Sequence, residues 1–195
     1  MSRRAIFLDR DGVLLEERGY VTRVSELSVL PGAYEAVRAL HRLGLLVIVA
    51  TNQSAVARGM LSCDELDALH AELLERFSSE GAPLDGIYAC PHHPEAMVAE
   101  LRRSCECRKP APGLILQAAR DLGLALDFSS YFAGDQWSDL ECARAAGVSA
   151  VLVRTGKGAA LEARARLERP DVVVCDSIAD LPRLISERAF RTVRA

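Results

Sequence analysis

The sequence predicts an α/β fold with a mainly parallel sheet, and three observations support this. Short β-branched and apolar runs alternate along the chain with stretches of helical periodicity, which is typical of parallel α/β folds. The apolar runs are continuous rather than alternating, as expected for strands that helices cover on both faces. The 195 residues are 50% hydrophobic, which suits one compact domain over residues 1–195. Together these features indicate a Rossmann-like three-layer sandwich.

Each element of this sandwich is predicted from its own segment. The predicted strands are Ala5–Asp9, Leu45–Thr51, Gly86–Ala89, Tyr131–Gly134, Ala150–Arg154 and Val172–Cys175. The predicted helices are Ala33–Leu43, Cys63–Ser79, Gly113–Leu122, Ser138–Ala146, Ala159–Leu167 and Ile178–Glu187. Pro-Gly pairs precede the first and third of these helices, as expected of residues that interrupt a chain before a helix. The segments 10–50 and 52–108 leave no room for a large cap domain.

Composition and charge exclude several classes of partner. The formal net charge is -3 and the pI about 5.8, whereas nucleic-acid-binding domains usually carry a basic face. The longest apolar run, Leu43–Ala50, is too short to cross a bilayer, and the N-terminal residues lack a signal-peptide pattern. We therefore expect a cytoplasmic protein with a small-molecule substrate, without nucleic-acid or membrane partners, and monomeric.

Carboxylates follow two of the predicted strands. Asp9 and Asp11 come at and after the end of the first strand, and Asp135 follows the fourth, with Asp139 one helical turn later. Thr51 ends the second strand. Ligands of doubly wound sheets bind outside the carboxyl ends of the strands, so these side chains should share one crevice. Clustered carboxylates repel one another unless a cation lies among them, and oxygen ligands suit Mg²⁺.

A lysine completes a pattern suited to phosphoryl transfer. Lys109 would neutralise a phosphate beside the carboxylates, while Thr51 and backbone N–H groups would hold its oxygens. Phosphoryl transfer needs mainly positioning and charge stabilisation, and a carboxylate is an established covalent nucleophile. Taken singly, each piece has an ordinary structural explanation, because Asp-x-Asp-Gly is common in turns and Thr-Asn pairs cap helices. Their joint occurrence in this order favours catalysis.

A cysteine-rich loop at about 90–110 interrupts the α/β rhythm. Long loops inside compact domains are usually functional or are held by something other than a core. Cys90, Cys105 and Cys107, together with His92 or His93, offer the four ligands of a closed, structural zinc site. The spacing alone leaves the choice of histidine open. The remaining cysteines are expected to pack as small apolar residues rather than to form disulfides, and they are Cys63, Cys142 and Cys175.

Four ordered motifs resemble those of the phosphatases in the haloacid dehalogenase superfamily. They are Asp9-Arg10-Asp11-Gly12-Val13, Thr51-Asn52, Lys109-Pro110 and Gly134-Asp135-x-x-x-Asp139. The resemblance implies that Asp9 attacks phosphorus, and that Asp11 protonates the leaving alcohol and then activates water. Thr51 and Lys109 would hold the phosphoryl group. Mg²⁺ would be bound by the Asp9 carboxylate, the Asp11 carbonyl and Asp135, with Asp139 supporting the metal site from behind.

Within the superfamily, the long cysteine loop resembles the D-glycero-D-manno-heptose 1,7-bisphosphate 7-phosphatase group more than the histidinol-phosphate phosphatase group. The resemblance implies removal of the 7-phosphate of a heptose bisphosphate on the route to lipopolysaccharide or S-layer glycans, and it favours His92 as the zinc ligand. Arg108 would recognise the second phosphate. The other implied substrate contacts are Arg18, Gly19, Tyr20, Asn52, Gln53, Ser54 and Gln136.

Two departures from that group bear on the substrate. The group usually has Lys where this chain has Gln136, and Gln can donate a hydrogen bond but cannot neutralise a phosphate. Ala55 stands where the group usually has Gly. Histidinol phosphate or another small sugar phosphate is therefore the alternative substrate. A phosphotransferase and a non-catalytic zinc-stabilised binding protein are the rival functions.

Two further segments are predicted to have structural roles. Thr155-Gly156-Lys157-Gly158 lacks the spacing of a phosphate-binding P-loop and indicates a strand-to-helix turn. Residues 188–195 are expected to form a frayed, solvated end.

Overall fold

Six parallel strands form one sheet in the computed structural model, which describes residues 3–192 and side chains from 3 to 187. The strands are β1 (Arg4–Leu8), β2 (Leu45–Asn52), β3 (Gly86–Cys90), β4 (Tyr131–Gly134), β5 (Ser149–Val153) and β6 (Val173–Cys175). Their order across the sheet is β3-β2-β1-β4-β5-β6, and every neighbouring pair is parallel. The predicted α/β class and parallel sheet are confirmed.

Helices cover both faces of this sheet. They are α1 (Ala33–Arg42), α2 (Ser54–Ala57), α3 (Cys63–Ser79), α4 (Gly113–Leu122), α5 (Trp137–Ala146), α6 (Gly158–Glu168) and α7 (Leu181–Thr192). Alternate residues of β1 face opposite sides, as the pleat requires. Ile6 and Leu8 belong to the core that also holds buried residues of α1, α3 and α7, whereas Ala5 and Phe7 belong to the core under α4, α5 and α6. Each face of the sheet thus has its own apolar layer.

The strand order creates a crevice between β1 and β4. From β1 the chain builds outward to β2 and β3, then crosses back to start β4 on the other side of β1. The two connections leave in opposite directions, which opens a crevice at the carboxyl ends of these strands. Asp9 follows β1 and donates its N–H to the carbonyl of Ala133 at 3.0 Å, while Asp135 follows β4. The topology therefore brings both carboxylates to one place.

Several element boundaries differ from the prediction. β1 ends at Leu8, so Asp9 lies just outside the strand, and the short helix α2 was not predicted. Four residues are too few to show helical periodicity. The last predicted helix divides into a 3₁₀ turn at Ile178–Asp180 and then α7. Because α7 continues to Thr192, the expectation of a frayed end from residue 188 is wrong for the backbone of 188–192, and residues 193–195 lie outside the described part.

One prediction about the cysteines is also wrong. Cys142 and Cys175 are buried as expected, but Cys63 is exposed. Cys63 is the first residue of α3, directly after the N-cap Ser62, and its side chain lies on the solvent side of the first turn.

Within residues 3–192, no helix combines the length and apolar character needed to span a membrane.

Candidate active site

An open cleft of about 380 Å³ lies at the carboxyl ends of the strands. Its walls are formed by residues from the loop after β1, the β2–α2 junction, the end of the cysteine loop, the start of α5 and the turn before α6. They are Asp9, Asp11, Glu17, Gly19, Tyr20, Thr51, Asn52, Gln53, Ser54, Arg108, Lys109, Gln136, Ser138 and Lys157. All four predicted catalytic side chains therefore reach the same cleft.

Lys109 lies between two carboxylates at the floor of this cleft. Its Nζ is 2.8 Å from Oδ2 of Asp9 and 2.7 Å from Oδ1 of Asp139, and all three residues are buried. Burial alone would lower the pKa of Lys109, but the carboxylates of Asp139 and Asp9 outweigh it and raise the pKa above its ordinary value. Lys109 is therefore a fixed cation at neutral pH, as a phosphoryl-binding residue needs to be.

The backbone of Lys109 is held by Asn52. The Asn52 side chain accepts a hydrogen bond from the Lys109 N–H at 3.0 Å and donates one to the Lys109 carbonyl at 3.1 Å. Asn52 was expected to bind substrate. In this structure its amide holds the backbone of Lys109, and both of its polar atoms are engaged in doing so.

Asp11 is held from two sides. The Arg10 guanidinium donates from Nη2 to Oδ2 at 2.9 Å, and Gln53 donates to the same oxygen at 3.0 Å. Gln53 also donates to Oγ1 of Thr51 at 2.9 Å, which links the two sides of the cleft. Burial raises the pKa of Asp11, although the Arg10 charge opposes this. A raised pKa suits a carboxyl that must donate a proton.

The Asp135 side chain lies below the cleft, packed so closely against Gly12 and Gly156 that neither position has room for a Cβ. A Cβ on Gly12 would lie 2.3 Å from Oδ2 of Asp135, and one on Gly156 would lie 2.1 Å from it. That oxygen accepts the N–H of Lys157 at 2.8 Å. The other oxygen, Oδ1, is buried and has no hydrogen-bond partner among the described residues. Burying an unpaired carboxylate oxygen is costly, which indicates a place for an oxygen-seeking cation.

The acidic cluster as a whole fits a divalent cation. Carboxylate oxygens of Asp9, Asp135 and Asp139 lie within 4.8 Å of one another. Burial raises the pKa of Asp135 to about 7 and that of Asp139 to about 6, and the Asp9 charge adds to both shifts. A bound cation would reverse such shifts by favouring the ionised forms. Asp139 has less free capacity, since its oxygens already meet Lys109 and the Gln136 N–H.

The loop after β1 and the turn before α6 meet at the rim of the cleft. Glu17 accepts the N–H of Gly19 at 2.7 Å and forms an ion pair with Lys157 Nζ at 3.2 Å. Tyr20 also lines the rim, and the Arg58 guanidinium lies 5.5 Å from its ring centroid.

Arg18 is the one predicted substrate contact that this structure does not bring to the cleft wall. Its guanidinium pairs with Glu16 at 2.5 Å on the exposed side of the loop. Arg108, in contrast, reaches the wall and donates to Oγ of Ser54 at 3.1 Å and to the His92 carbonyl at 3.0 Å.

The three loop cysteines converge on His92. Their Sγ atoms lie 3.2 to 3.5 Å apart, and Nδ1 of His92 is 3.3 Å from Cys107 Sγ and 3.7 Å from Cys90 Sγ. Three thiols and one imidazole are the donor set of a structural zinc site. His93 instead accepts the Glu95 N–H with its Nδ1 at 3.0 Å. The structure therefore groups His92, not His93, with the cysteines.

Four residues around the site were missed or given little weight by sequence reasoning. Glu17, Ser138 and Lys157 line the cleft, and the buried Arg10 lies beneath it. Lys157 had one available signal, because its Gly-rich turn follows a strand at the same sheet edge. The others are polar or charged residues of kinds that usually lie at the surface, and only the folded structure shows where their side chains lie.

Comparisons with known proteins identify the family. A family model described as "HAD-hyrolase-like" matches residues 106–181. A D-glycero-beta-D-manno-heptose-1,7-bisphosphate 7-phosphatase from Yersinia pestis is 41% identical over 185 residues, which cover 94% of this chain and 96% of that protein. The protein of that name from Escherichia coli K12 is 41% identical over 186 residues, with 94% of each chain covered.

A solved structure supports the same conclusion. It is the D,D-heptose 1.7-bisphosphate phosphatase from B. bronchiseptica complexed with magnesium and phosphate. It superposes with a TM-score of 0.83 at 32% identity, covering 95% of this chain and 99% of that one. The predicted resemblance is confirmed: this chain belongs to the haloacid dehalogenase superfamily of hydrolases, in the family of the heptose-bisphosphate 7-phosphatases.

Proposed function

We propose that this chain is a Mg²⁺-dependent phosphomonoesterase that removes the 7-phosphate of D-glycero-D-manno-heptose 1,7-bisphosphate through an aspartyl-phosphate on Asp9. One observation carries the chemistry: Asp9, Asp11, Thr51 and Lys109 share one cleft, above the unpaired oxygen of Asp135. The names and the high coverage of the relatives support the substrate.

In the first half-reaction, a carboxylate oxygen of Asp9 forms a bond to phosphorus while the bond from phosphorus to the sugar oxygen breaks. Asp11 gives its proton to that departing oxygen, so the sugar leaves as an alcohol. The ammonium of Lys109 and the hydroxyl of Thr51 stabilise the phosphoryl oxygens, where negative charge is concentrated.

In the second half-reaction, Asp11 acts in the opposite sense. It takes a proton from a water molecule whose oxygen attacks the phosphorus of the aspartyl-phosphate. The bond between phosphorus and Asp9 breaks, which restores the Asp9 carboxylate and releases inorganic phosphate. The two roles need one carboxyl that exchanges its proton, and burial of Asp11 favours this by raising its pKa.

The proposed magnesium ligands are Asp9, the Asp11 carbonyl and Asp135, and the ion would supply positive charge to the phosphoryl oxygens. The proposed zinc ligands are Cys90, His92, Cys105 and Cys107. Zinc on Nδ1 of His92 needs a proton on Nε2, so it would displace the exposed Arg103 guanidinium that now lies 2.5 Å from Nε2. A closed zinc site would fix the loop that ends in Arg108 and Lys109.

The second phosphate of the substrate would meet cations at the outer part of the cleft. Arg108 is one, as expected from the sequence. Lys157 is another cation on the cleft wall, which partly offsets the neutral Gln136. Gly19, Tyr20 and Ser54 would face the sugar. We further propose that the enzyme acts as a monomer in the cytoplasm.

A substrate panel tests this proposal. Phosphate release would be measured with Mg²⁺ for both anomers of the heptose bisphosphate, for histidinol phosphate and for hexose phosphates, with Asp9→Asn as the control. We expect one heptose anomer to exceed the other esters by several orders of magnitude in kcat/KM. A higher value for histidinol phosphate would overturn the substrate but keep the chemistry. No release from any ester by the folded, Mg²⁺-supplied protein would overturn both.

A further inference from the structure

Arg10 stands between Asp9 and Asp11 in the sequence, and it has no role in the chemistry described above. It is 1% exposed and is the largest fully buried side chain of the described residues. Its backbone N–H donates to Oδ1 of Asp9 at 2.8 Å. Its side chain contacts the carboxylate of Asp11. One residue therefore contacts both carboxylates.

The contact with Asp11 is a fork rather than a single hydrogen bond. Nη2 of Arg10 donates to Oδ2 at 2.9 Å, and Nε lies 3.2 Å from each carboxylate oxygen. Such planar, multidentate pairing fixes the orientation of a carboxylate as well as its charge. A lysine would supply the charge without the fork.

The remaining nitrogen of the guanidinium, Nη1, contacts His70 of α3. Nη1 of Arg10 is 3.2 Å from Nε2 of His70, which is 8% exposed. A guanidinium has donors but no acceptor, so Nε2 must accept and the His70 proton must lie on Nδ1. The imidazole is therefore neutral. It holds the guanidinium from the side opposite Asp11.

The backbone of Arg10 is fixed as firmly as its side chain. Its carbonyl accepts the N–H groups of Leu14 and Leu15 at 3.0 and 2.9 Å. With both ends held, the side chain has little freedom to follow a moving Asp11. Asp11 instead must take the position that Arg10 and Gln53 define.

We propose that Arg10 is a positioning residue that holds the Asp11 carboxyl for proton transfer, and that His70 holds Arg10 as a neutral acceptor. This inference rests on the proposed role of Asp11 as general acid and base. A buried ion pair with a purely structural role would give the same contacts, so the test must separate proton transfer from folding.

Two esters make this separation. Protonation by Asp11 matters when the leaving group is an alcohol, and matters little when it is p-nitrophenolate, which is stable as an anion. The measurement is the first-turnover rate with enzyme in excess, for p-nitrophenyl phosphate and for the alkyl phosphate that the wild type hydrolyses fastest. The variants are Arg10→Lys, His70→Phe and His70→Gln, each checked for its fold by circular dichroism and thermal unfolding.

For Arg10→Lys we expect the first-turnover rate to fall ~100-fold on the alkyl ester, in the range of lost general-acid catalysis, and less than about 3-fold on p-nitrophenyl phosphate. With p-nitrophenyl phosphate in excess over the variant, p-nitrophenolate release should show a burst of one equivalent followed by slower turnover, because hydrolysis of the aspartyl-phosphate still needs Asp11. His70→Phe should lose ~10-fold on the alkyl ester only, the value of about one hydrogen bond. His70→Gln should restore most of that rate, since its Oε1 can accept.

Equal losses on the two esters, or no loss on either, would overturn the positioning role. If Arg10→Lys fails to fold, the two His70 variants still test the proposal. Equal rates for His70→Phe and His70→Gln on the alkyl ester would overturn the positioning role. A folded wild type that hydrolyses neither ester would instead overturn the proposed function, and this inference with it.

Discussion

Gly156 offers a sharp test of the proposed metal site, because it lies against Asp135 without taking part in the chemistry. It is in the turn after β5 with φ +60°, and a Cβ there would lie 2.1 Å from Oδ2 of Asp135 and 2.8 Å from the Cα of Gly12. The perturbation is Gly156→Ala. It adds one methyl group and no charge.

The expected effect has two parts. An alanine in the left-handed region costs roughly 1–2 kcal/mol in the free energy of unfolding. The methyl group also needs space, because real Cβ contacts are essentially never shorter than 3.0 Å. Asp135 or the turn must therefore move by about 1 Å, and a misplacement of that size in an active site costs roughly 100-fold in rate.

Gly123→Ala is the matched control. Gly123 ends α4 with φ +64°, and a Cβ there meets nothing within 4 Å. The two variants share the backbone strain, but only Gly156→Ala disturbs Asp135. Urea unfolding should show a loss of roughly 1–2 kcal/mol for Gly123→Ala and at least that for Gly156→Ala.

Steady-state phosphate release across a Mg²⁺ titration separates the variants. We expect Gly156→Ala to lose ~100-fold in kcat/KM and to need more Mg²⁺ for half-maximal activity, while Gly123→Ala stays within about threefold of wild type. If Gly156→Ala keeps wild-type kcat/KM and Mg²⁺ dependence, Asp135 is not a metal ligand in the way we propose.

Three further predictions concern Asp9, the zinc loop and the buried His70. Asp9→Asn should abolish turnover while the unfolding midpoint stays close to that of the wild type, and Mg²⁺-dependent phosphate release in the variant would remove Asp9 as the nucleophile. Cys107→Ser should lose bound zinc in elemental analysis and lower the thermal midpoint, whereas a wild type without zinc would refute the zinc site. Burial, aided by the Arg10 charge, lowers the pKa of His70 to about 4. The unfolded chain therefore binds the His70 proton first as pH falls, so stability should be full above about pH 6.5 and decline by up to ~3 kcal/mol toward pH 4. Urea unfolding of His70→Gln should lack this decline, and identical pH profiles for the two proteins would contradict it.

The parts of the site that sequence could predict are those fixed by strand ends. Asp9, Thr51 and Asp135 each stand where a buried strand meets the crevice, and a parallel sheet brings such positions together whatever the loops do. Cys90 was predictable for a related reason. It ends β3, and its spacing to Cys105 and Cys107 is limited to what a zinc ligand set allows.

The parts that sequence could not predict depend on contacts across long separations. Nothing near Arg10 indicates burial, since the acceptor that completes its surroundings is His70, sixty positions further along. Arg18 and Tyr20 are close neighbours in one loop, yet only Tyr20 lines the cleft. Asn52 lines the cleft, and its amide hydrogen-bonds the backbone of Lys109, a contact that depends on the cysteine loop bringing Lys109 back to β2.

These contacts give two aspartates that stand two positions apart different surroundings. Asp9 has the buried ammonium of Lys109 on one oxygen and the Arg10 N–H on the other. Asp11 has the side chain of Arg10 and the amide of Gln53, and burial raises its pKa although both of these partners oppose the shift. Because Arg10 contacts both, Asp9 through its backbone N–H and Asp11 through its guanidinium, the two roles that we propose would depend on a residue that need not touch substrate.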